Sequence, residues 1–201
     1  MRDLIIARHA HAASNVADTV SCRPPGEGLS ELGSDEARAL GERLAGVDIG
    51  LGVASELRRT QETLALALDG REVPVEVLPA LNEIDFGSYE GGPLSAYREW
   101  AWSTAPDVDC PGGGESRVAT ASRIAGALDW LLRRPEETIL AVGHALPVRY
   151  VLDGAAGRPP PARIGTIAHA EPHSLSRADV ERAAESLRAW VLAPRFADAD
   201  G

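Results

Sequence analysis

Leu4-Ile5-Ile6-Ala7-Arg8-His9-Ala10-His11 decides how this chain is read. Four apolar residues in succession spell a buried strand rather than a helix. The run stops on an arginine and a histidine, and small or polar residues follow through Ala12, Ala13, Ser14 and Asn15. Such a strand sets Arg8 and His9 at its C-terminal edge, where open α/β sheets bind their ligands. Position alone leaves two readings open. One is a polar residue satisfied at the rim of a sheet; the other is an imidazole able to act as nucleophile, base or metal ligand beside a permanent cation.

The same punctuation recurs along the chain. Thr138-Ile139-Leu140-Ala141-Val142 is a second buried run, and it stops at Gly143-His144. Leu51-Gly52-Val53-Ala54 is a third, followed by Ser55, Arg58 and Arg59 at the opening of a helix. Val73 to Leu78 is extended and proline-punctuated, and Ile164 to Ala168 alternates weakly, as an edge strand would. Between these lie helical patterns. Ser30 is a predicted N-cap ahead of Ala37, Leu40 and Leu44, and Leu57 to Leu68 carries an apolar face. Leu94 to Trp102 is a short helix, and Val118 to Leu132 is a long amphipathic one ended by Pro135. A helix through Arg149 to Leu152 follows, with Pro147 in its first turn. Ser176 and Asp179 form a predicted capping box before Val180, Ala183, Ala184, Leu187 and Val191. Strands alternating with helices imply an α/β fold with a mostly parallel sheet covered on both faces. The expected domain runs over residues 1–192, with a flexible polar tail over 193–201. Residues 79–114 are too long for a simple connection and are expected to form an excursion that serves as a lid or pocket wall.

Bulk properties narrow the function classes. With 201 residues, 44% of them hydrophobic, the chain suffices for one full-sized domain. Its net charge of −10 argues against nonspecific binding to nucleic acid or to a membrane surface, which needs a cationic face. A local arginine cluster can still attract a small anion. Cys22 and Cys110, far apart and without CxxC spacing, read as free thiols of a reducing compartment. Only four apolar residues precede Arg8, which is no signal peptide, and no run approaches the ~18 apolar residues of a membrane span. The expected location is the cytoplasm. Oligomeric state is not encoded in any motif.

If the sheet is parallel, one edge gathers Arg8, His9, Arg59 and His144 with helix N-termini beside them. Guanidinium forks match phosphate oxygens, and helix N-termini add unpaired N–H donors. A metal held by His9 and His144 is the competing reading, weakened by the neighbouring arginines and by the lack of a carboxylate in either motif. Histidines His11, His169 and His173 fit solvated or edge-strand positions, and Tyr97, Trp100 and Trp102 fit packing of the excursion.

Four motifs in this order carry a resemblance: Arg8-His9-Ala10, Ser55 to Thr63, Leu81-Asn82-Glu83-Ile84-x-Phe86-Gly87-x-Tyr89-Glu90-Gly91, and Val142-Gly143-His144. The Gly-Glu-Ser at 114–116 ahead of a long helix adds to them. Together they resemble the histidine phosphatase superfamily, in its phosphoglycerate mutase-like branch. The resemblance spans residues 4 to about 152 and implies a single-domain three-layer α/β/α sandwich. It further implies that His9 accepts the phosphoryl group as phosphohistidine, that Arg8, Arg59 and His144 hold the phosphate oxygens, and that Asn15 approaches the same group. Glu83 would be the general acid for the leaving alkoxide and then the base for water. No metal or other cofactor is implied, and the partner is a small phosphorylated substrate. The sequence departs from the family at Ala10, at His11-Ala12 and at Ala145, and the third imidazole, His11, is thereby a candidate substrate contact.

The chemistry agrees with that assignment. A phosphomonoester dianion repels nucleophiles and its alkoxide leaves poorly; cations answer the first difficulty and a protonated carboxyl the second. Glu83 is accordingly expected to have a raised pKa. The favoured expectation is a metal-independent phosphatase, because the excursion is compact. The alternatives are a phosphoglycerate-type mutase, a non-catalytic phospholigand-binding protein and a metal-dependent hydrolase built on His9-Ala10-His11. The last would require an eight-fold barrel, for which the strands are too few.

Overall fold

A computed structural model describes residues 1–196. The chain begins with β1 (Asp3–Arg8), turns through the one-turn helix α1 (Ala13–Val16), and enters α2 (Glu31–Arg43). It continues through β2 (Leu51–Ala54), α3 (Arg58–Ala67) and β3 (Val75–Val77). The excursion follows, with two short 3-10 turns and α4 (Leu94–Ser103), before α5 (Arg117–Leu132). The last elements are β4 (Thr138–Gly143), α6 (Ala145–Ala155), β5 (His173–Ser176) and α7 (Arg177–Leu192). Local chemistry sets several of these boundaries. Ser30 Oγ accepts from Gly33 N at 3.1 Å to cap α2. Ser176 caps α7, and the Asp179 carboxylate accepts in return from Ser176 N at 3.0 Å, which is the predicted capping box.

The strand order is β3-β2-β4-β1-β5, and β1 to β4 are mutually parallel. Alternation within the apolar runs divides the core in two. Leu4, Ile6, Ile139 and Ala141 join a cluster with residues of α5, α6 and α7, such as Ile124, Leu128, Val151 and Leu187. Ile5, Ala7, Leu140 and Val142 face the other way and pack with Ala37, Leu40 and Leu64 of α2 and α3. The result is the expected three-layer α/β/α sandwich. Every residue of β4 is buried, which explains the unbroken apolar run from Ile139 to Val142.

One expectation is corrected. The edge strand is not Ile164–Ala168 but His173–Ser176, antiparallel to β1. The isoleucines at 164 and 167 line a cleft, and the backbone there binds a side chain, since Arg8 Nη1 donates to Ile167 O at 2.9 Å. Their spacing therefore marks a cleft wall. In β5 the half-buried His173 and Leu175 alternate with exposed serines, the pattern of an edge.

The excursion is anchored from both sides of Phe86. Phe86 N donates to Cys22 Sγ at 3.4 Å, and Cys110 Sγ donates to Phe86 O at 3.1 Å. Both cysteines are free thiols, as expected. Burial pushes Cys110 up to about 11 and Cys22 higher still, so neither is an activated thiolate. Tyr97 of α4 stacks edge-on against Phe86, with ring centroids 4.6 Å apart. Beyond α7, Trp190 Nε1 donates to Arg195 O at 2.6 Å and Phe196 packs within 6.0 Å of the Trp190 ring. Of the tail expected over 193–201, residues 197–201 lie outside the described residues.

The loop that follows His9 is set by a close approach. A Cβ at Gly33 would lie 1.9 Å from the His11 carbonyl oxygen, so α2 can pack on this loop only through a glycine. Gly33→Ala is expected to lower unfolding free energy by ~1–3 kcal/mol. The measurement is the urea midpoint at unchanged slope; a midpoint equal to the parent's would show that the approach is dispensable.

Candidate active site

Strand register builds the centre. Arg8 stands opposite Gly143 in the β1–β4 ladder, so the next residue of each strand, His9 and His144, emerges side by side. His9 N donates to Gly143 O at 2.9 Å, and the two imidazole centroids are 5.2 Å apart. β2 pairs with β4 up to Ala54–Val142, and α3 begins four residues later, which delivers Arg59 in its first turn to the same edge. Glu83 arrives from the excursion. The cleft above these residues has a volume of about 180 Å³ and is lined by Arg8, His9, Asn15, Arg59 and Glu83, among others.

Hydrogen bonds assign the protons. Ala10 O can only accept, so His9 Nδ1, 2.8 Å away, carries the hydrogen and Nε2 keeps its lone pair. A guanidinium can only donate, so His144 Nδ1, 3.2 Å from Arg59 Nη2, is an acceptor. His144 Nε2 therefore bears the proton and gives it to Ser55 Oγ at 2.8 Å. Ser55 Oγ in turn lies 2.8 Å from Thr60 Oγ1, which donates to Leu57 O at 2.7 Å. The fully buried His144 is thus held in one tautomer and orientation by a directed chain.

The electrostatics favour an anion. Burial, reinforced by Arg59 and neighbouring charges, holds both His9 and His144 well below the ordinary histidine range, so both rings are neutral. Arg8 and Arg59 are also depressed by burial. Among the described residues their only hydrogen bonds are Arg8 Nη1 to Ile167 O, Arg59 Nη2 to Ser21 O at 2.7 Å, and the His144 contact. Arg8 Nε, Arg59 Nε and Arg59 Nη1 are buried donors without a partner among the described residues. Neither arginine has a carboxylate within salt-bridge distance among the described residues. Four arginines and one carboxylate line the cleft of a protein whose overall charge is −10. Burial raises the Glu83 carboxyl above its ordinary range, opposed by Arg59, Arg8 and Arg123, and its Oε1 accepts from Ile84 N at 3.0 Å. Among the described residues, no group of three or more His, Cys, Asp and Glu side chains is placed to hold a metal ion.

Arg8, His9, Arg59 and Glu83 therefore converge on the cleft, and His144 is buried beside His9 and Arg59 without lining it. Asn15 lines the cleft, but its Oδ1 accepts from Ala12 N at 2.9 Å, which leaves only its amide NH2 to donate. His11 is the exception. It does not line the cleft; its Nδ1 pairs with Ser30 Oγ at 2.9 Å, and its backbone N donates to Glu36 at 2.7 Å. The substrate-contact expectation for His11 is thus corrected: the N-cap of α2 draws the ring away. Sequence reading missed His169, whose Nδ1 stands 2.9 Å from His9 O and whose ring packs 5.5 Å from the His9 ring. It also missed Arg98 and Arg117, which line the cleft from α4 and α5.

A family model for the histidine phosphatase superfamily (branch 1) matches residues 4–193. The chain belongs to the histidine phosphatase superfamily. Its relatives include an adenosylcobalamin/alpha-ribazole phosphatase of Salmonella typhimurium, 38% identical over 130 residues that span 60% of this chain and 62% of that protein. The Escherichia coli counterpart is 37% identical over 43% of this chain and 42% of its own length. The chain therefore matches less than two thirds of either protein. A 2,3-bisphosphoglycerate-dependent phosphoglycerate mutase of Methylorubrum populi is 34% identical over 76% of this chain and 80% of the mutase. Among solved structures, a putative alpha-ribazole-5'-P phosphatase from Escherichia coli superposes with a TM-score of 0.70 at 28% identity, covering 79% of this chain and 81% of that one. A mycobacterial glucosyl-3-phosphoglycerate phosphatase complexed with VO3 superposes with a TM-score of 0.72 at 25% identity, over 88% and 91% of the two chains. These relatives are phosphatases and mutases, and the matched span contains Arg8, His9, Arg59, Glu83 and His144. Among the described residues no helix is long and apolar enough to cross a membrane.

The depressed histidines and the raised carboxyl make stability pH-dependent with opposite signs. Below the ordinary histidine value of 6.5, the unfolded chain binds protons that folded His9 and His144 refuse. Stability then falls with pH, by up to ~1.4 kcal/mol per pH unit for each ring. Glu83 acts the other way: its contribution is complete below the ordinary glutamate range and is lost as pH rises through its folded value. Two rings outweigh one carboxyl, so urea denaturation should show lower stability at about pH 5 than at about pH 7. The difference should shrink in His144→Asn, whatever that variant's absolute stability. An unchanged difference would mean that His144 is not held neutral.

Proposed function

We propose that the protein is a metal-independent phosphatase that hydrolyses a small phosphorylated metabolite through a phosphohistidine on His9. The observation that carries the reading is the neutral, buried His9 with its free Nε2 lone pair among guanidinium donors that have no other partner. A phosphate dianion supplies acceptors for those donors and offsets the burial of two cations. Similarity to alpha-ribazole and glucosyl-3-phosphoglycerate phosphatases supports hydrolysis over binding alone.

In this mechanism Arg8 and Arg59 hold the nonbridging oxygens, and His144, buried against Arg59, orients that guanidinium toward them. Asn15 adds its amide NH2. His9 Nε2 attacks phosphorus in line as the bond to the alcohol oxygen breaks, and protonated Glu83 gives that oxygen its proton. The guanidinium groups stabilise charge as it spreads over the oxygens. In the second half, the Glu83 carboxylate takes a proton from water, which attacks phosphorus. The P–N bond breaks, phosphate leaves, and both His9 and Glu83 return to their starting states. The raised pKa of Glu83 suits a group that must be protonated in one step and ionised in the next.

A second reading, a phosphoglycerate-type mutase, is favoured by the 34% identity to the Methylorubrum populi mutase. It shares the first half-reaction and differs in handing the phosphoryl group to a second alcohol.

Incubation with a phosphomonoester should yield an acid-labile, base-stable phosphoenzyme, unaffected by EDTA. His9→Ala should abolish the label and reduce turnover by at least ~10³-fold. EDTA-sensitive turnover would refute metal independence, and a label surviving in His9→Ala would move the nucleophile elsewhere. Inorganic phosphate release should exceed transfer between 2- and 3-phosphoglycerate; the reverse would favour the mutase.

A further inference from the structure

Glu83 sits where no helix or strand fixes its backbone, between two short 3-10 turns over Pro79–Leu81 and Gly87–Tyr89. A general acid must nonetheless keep its carboxyl within hydrogen-bond reach of one oxygen atom. What holds this segment is Arg123 of α5. Its Nη1 donates to Ala80 O and to Asn82 O, both at 2.9 Å, and its Nη2 reaches Glu83 O at 3.4 Å. The same guanidinium is gripped by Glu115, with Nε to Oε1 at 2.9 Å and Nη2 to Oε2 at 2.6 Å. Glu115 also binds the far side of the segment. Its Oε2 accepts from Asp85 N at 3.1 Å, and its own N donates to Asp85 O at 3.0 Å.

We infer that the Arg123–Glu115 pair is the positioning device for the general acid, a clamp that grips the backbone on both sides of Glu83 and sets the reach of its carboxyl. The inference rests on the acid role given to Glu83 above. Planarity is what makes it work. A guanidinium presents its donors in one rigid fork, so seating it on Glu115 fixes where the donors to residues 80, 82 and 83 must point. An ammonium keeps the charge and loses the fork. The α5 helix does not need the pair for its own burial, which comes from Thr120, Ala121, Ile124, Ala125 and Leu128. Nor does the clamp touch the phosphate cradle, since neither Arg123 nor Glu115 bonds to Arg8, His9, Arg59 or His144.

The test uses the leaving group. A 4-nitrophenolate needs no proton to depart, whereas an alkoxide does, and kcat/KM reports the phosphoryl-transfer step for both. Glu83→Gln should lower kcat/KM for an alkyl phosphate by ~10²–10⁴-fold and for 4-nitrophenyl phosphate far less. Arg123→Lys and Glu115→Gln should reproduce that asymmetry, with a loss of ~10–100-fold on the alkyl ester against a few-fold on the aryl ester. Adding Arg123→Lys to Glu83→Gln should cost the alkyl ester nothing more, because the clamp acts only through the carboxyl. Equal losses on both esters, or an additive double variant, would overturn the clamp and leave the acid role standing. If Glu83→Gln itself lacks the asymmetry, the acid assignment falls and the inference with it.

Discussion

The pairing of Arg8 with Gly143 across two parallel strands is the constraint on which the rest depends. Register in a sheet has period two, and a slip of one residue would exchange the two core faces. Here it would also separate the histidines. The register is held by apolar residues on both faces: Leu4 and Ile6 against one layer of helices, Ile5 and Ala7 against the other. The energetics of the hydrophobic core and the geometry of the site are therefore one requirement. Substitutions that preserve polarity but disturb the packing of β1 or β4 act on the imidazoles as well.

Around that centre the fold accepts an electrostatic cost. Two buried guanidinium groups, two neutral imidazoles and a carboxyl raised by burial are unfavourable individually in the absence of an anion. They are tolerated because each is held by hydrogen bonds to backbone or to neighbouring uncharged or cationic side chains rather than by a salt bridge. Ile167 O and Ser21 O hold the arginines without neutralising them, so their charge stays directed at the cleft. Carboxylate partners would have been more stabilising and would have cancelled the attraction for phosphate.

Much of this was legible in the sequence because it is written in strand endings. Arg8, His9, Arg59 and His144 each lie at or just beyond an apolar run, and parallel pairing brings such ends together without further information. Glu83 was legible only through the motif around it, since no periodicity marks a loop carboxylate. The rest depended on contacts that local patterns do not encode. The apolar residues around Ile164 and Ile167 read as a weak strand, whereas all of residues 164–167 line the cleft. His11 looked like a site residue until the cap of α2 claimed its ring. His169 meets His9 from 160 residues away, and Arg123 reads in sequence as an ordinary polar position of an amphipathic helix.

The anchoring of the excursion at Phe86 separates two kinds of change. Cys22 and Cys110 hold that residue through its backbone, so the hold does not depend on which side chain stands there. The α4 helix forms the outer wall without bonding to Arg8, His9, Arg59 or His144. Side chains of that wall can thus change while Arg8, His9, Arg59 and His144 stay in place. Under the proposed phosphatase reading, the choice of alcohol is therefore a property of the wall, and it can be altered there without displacing the backbone that carries Arg8 and His9.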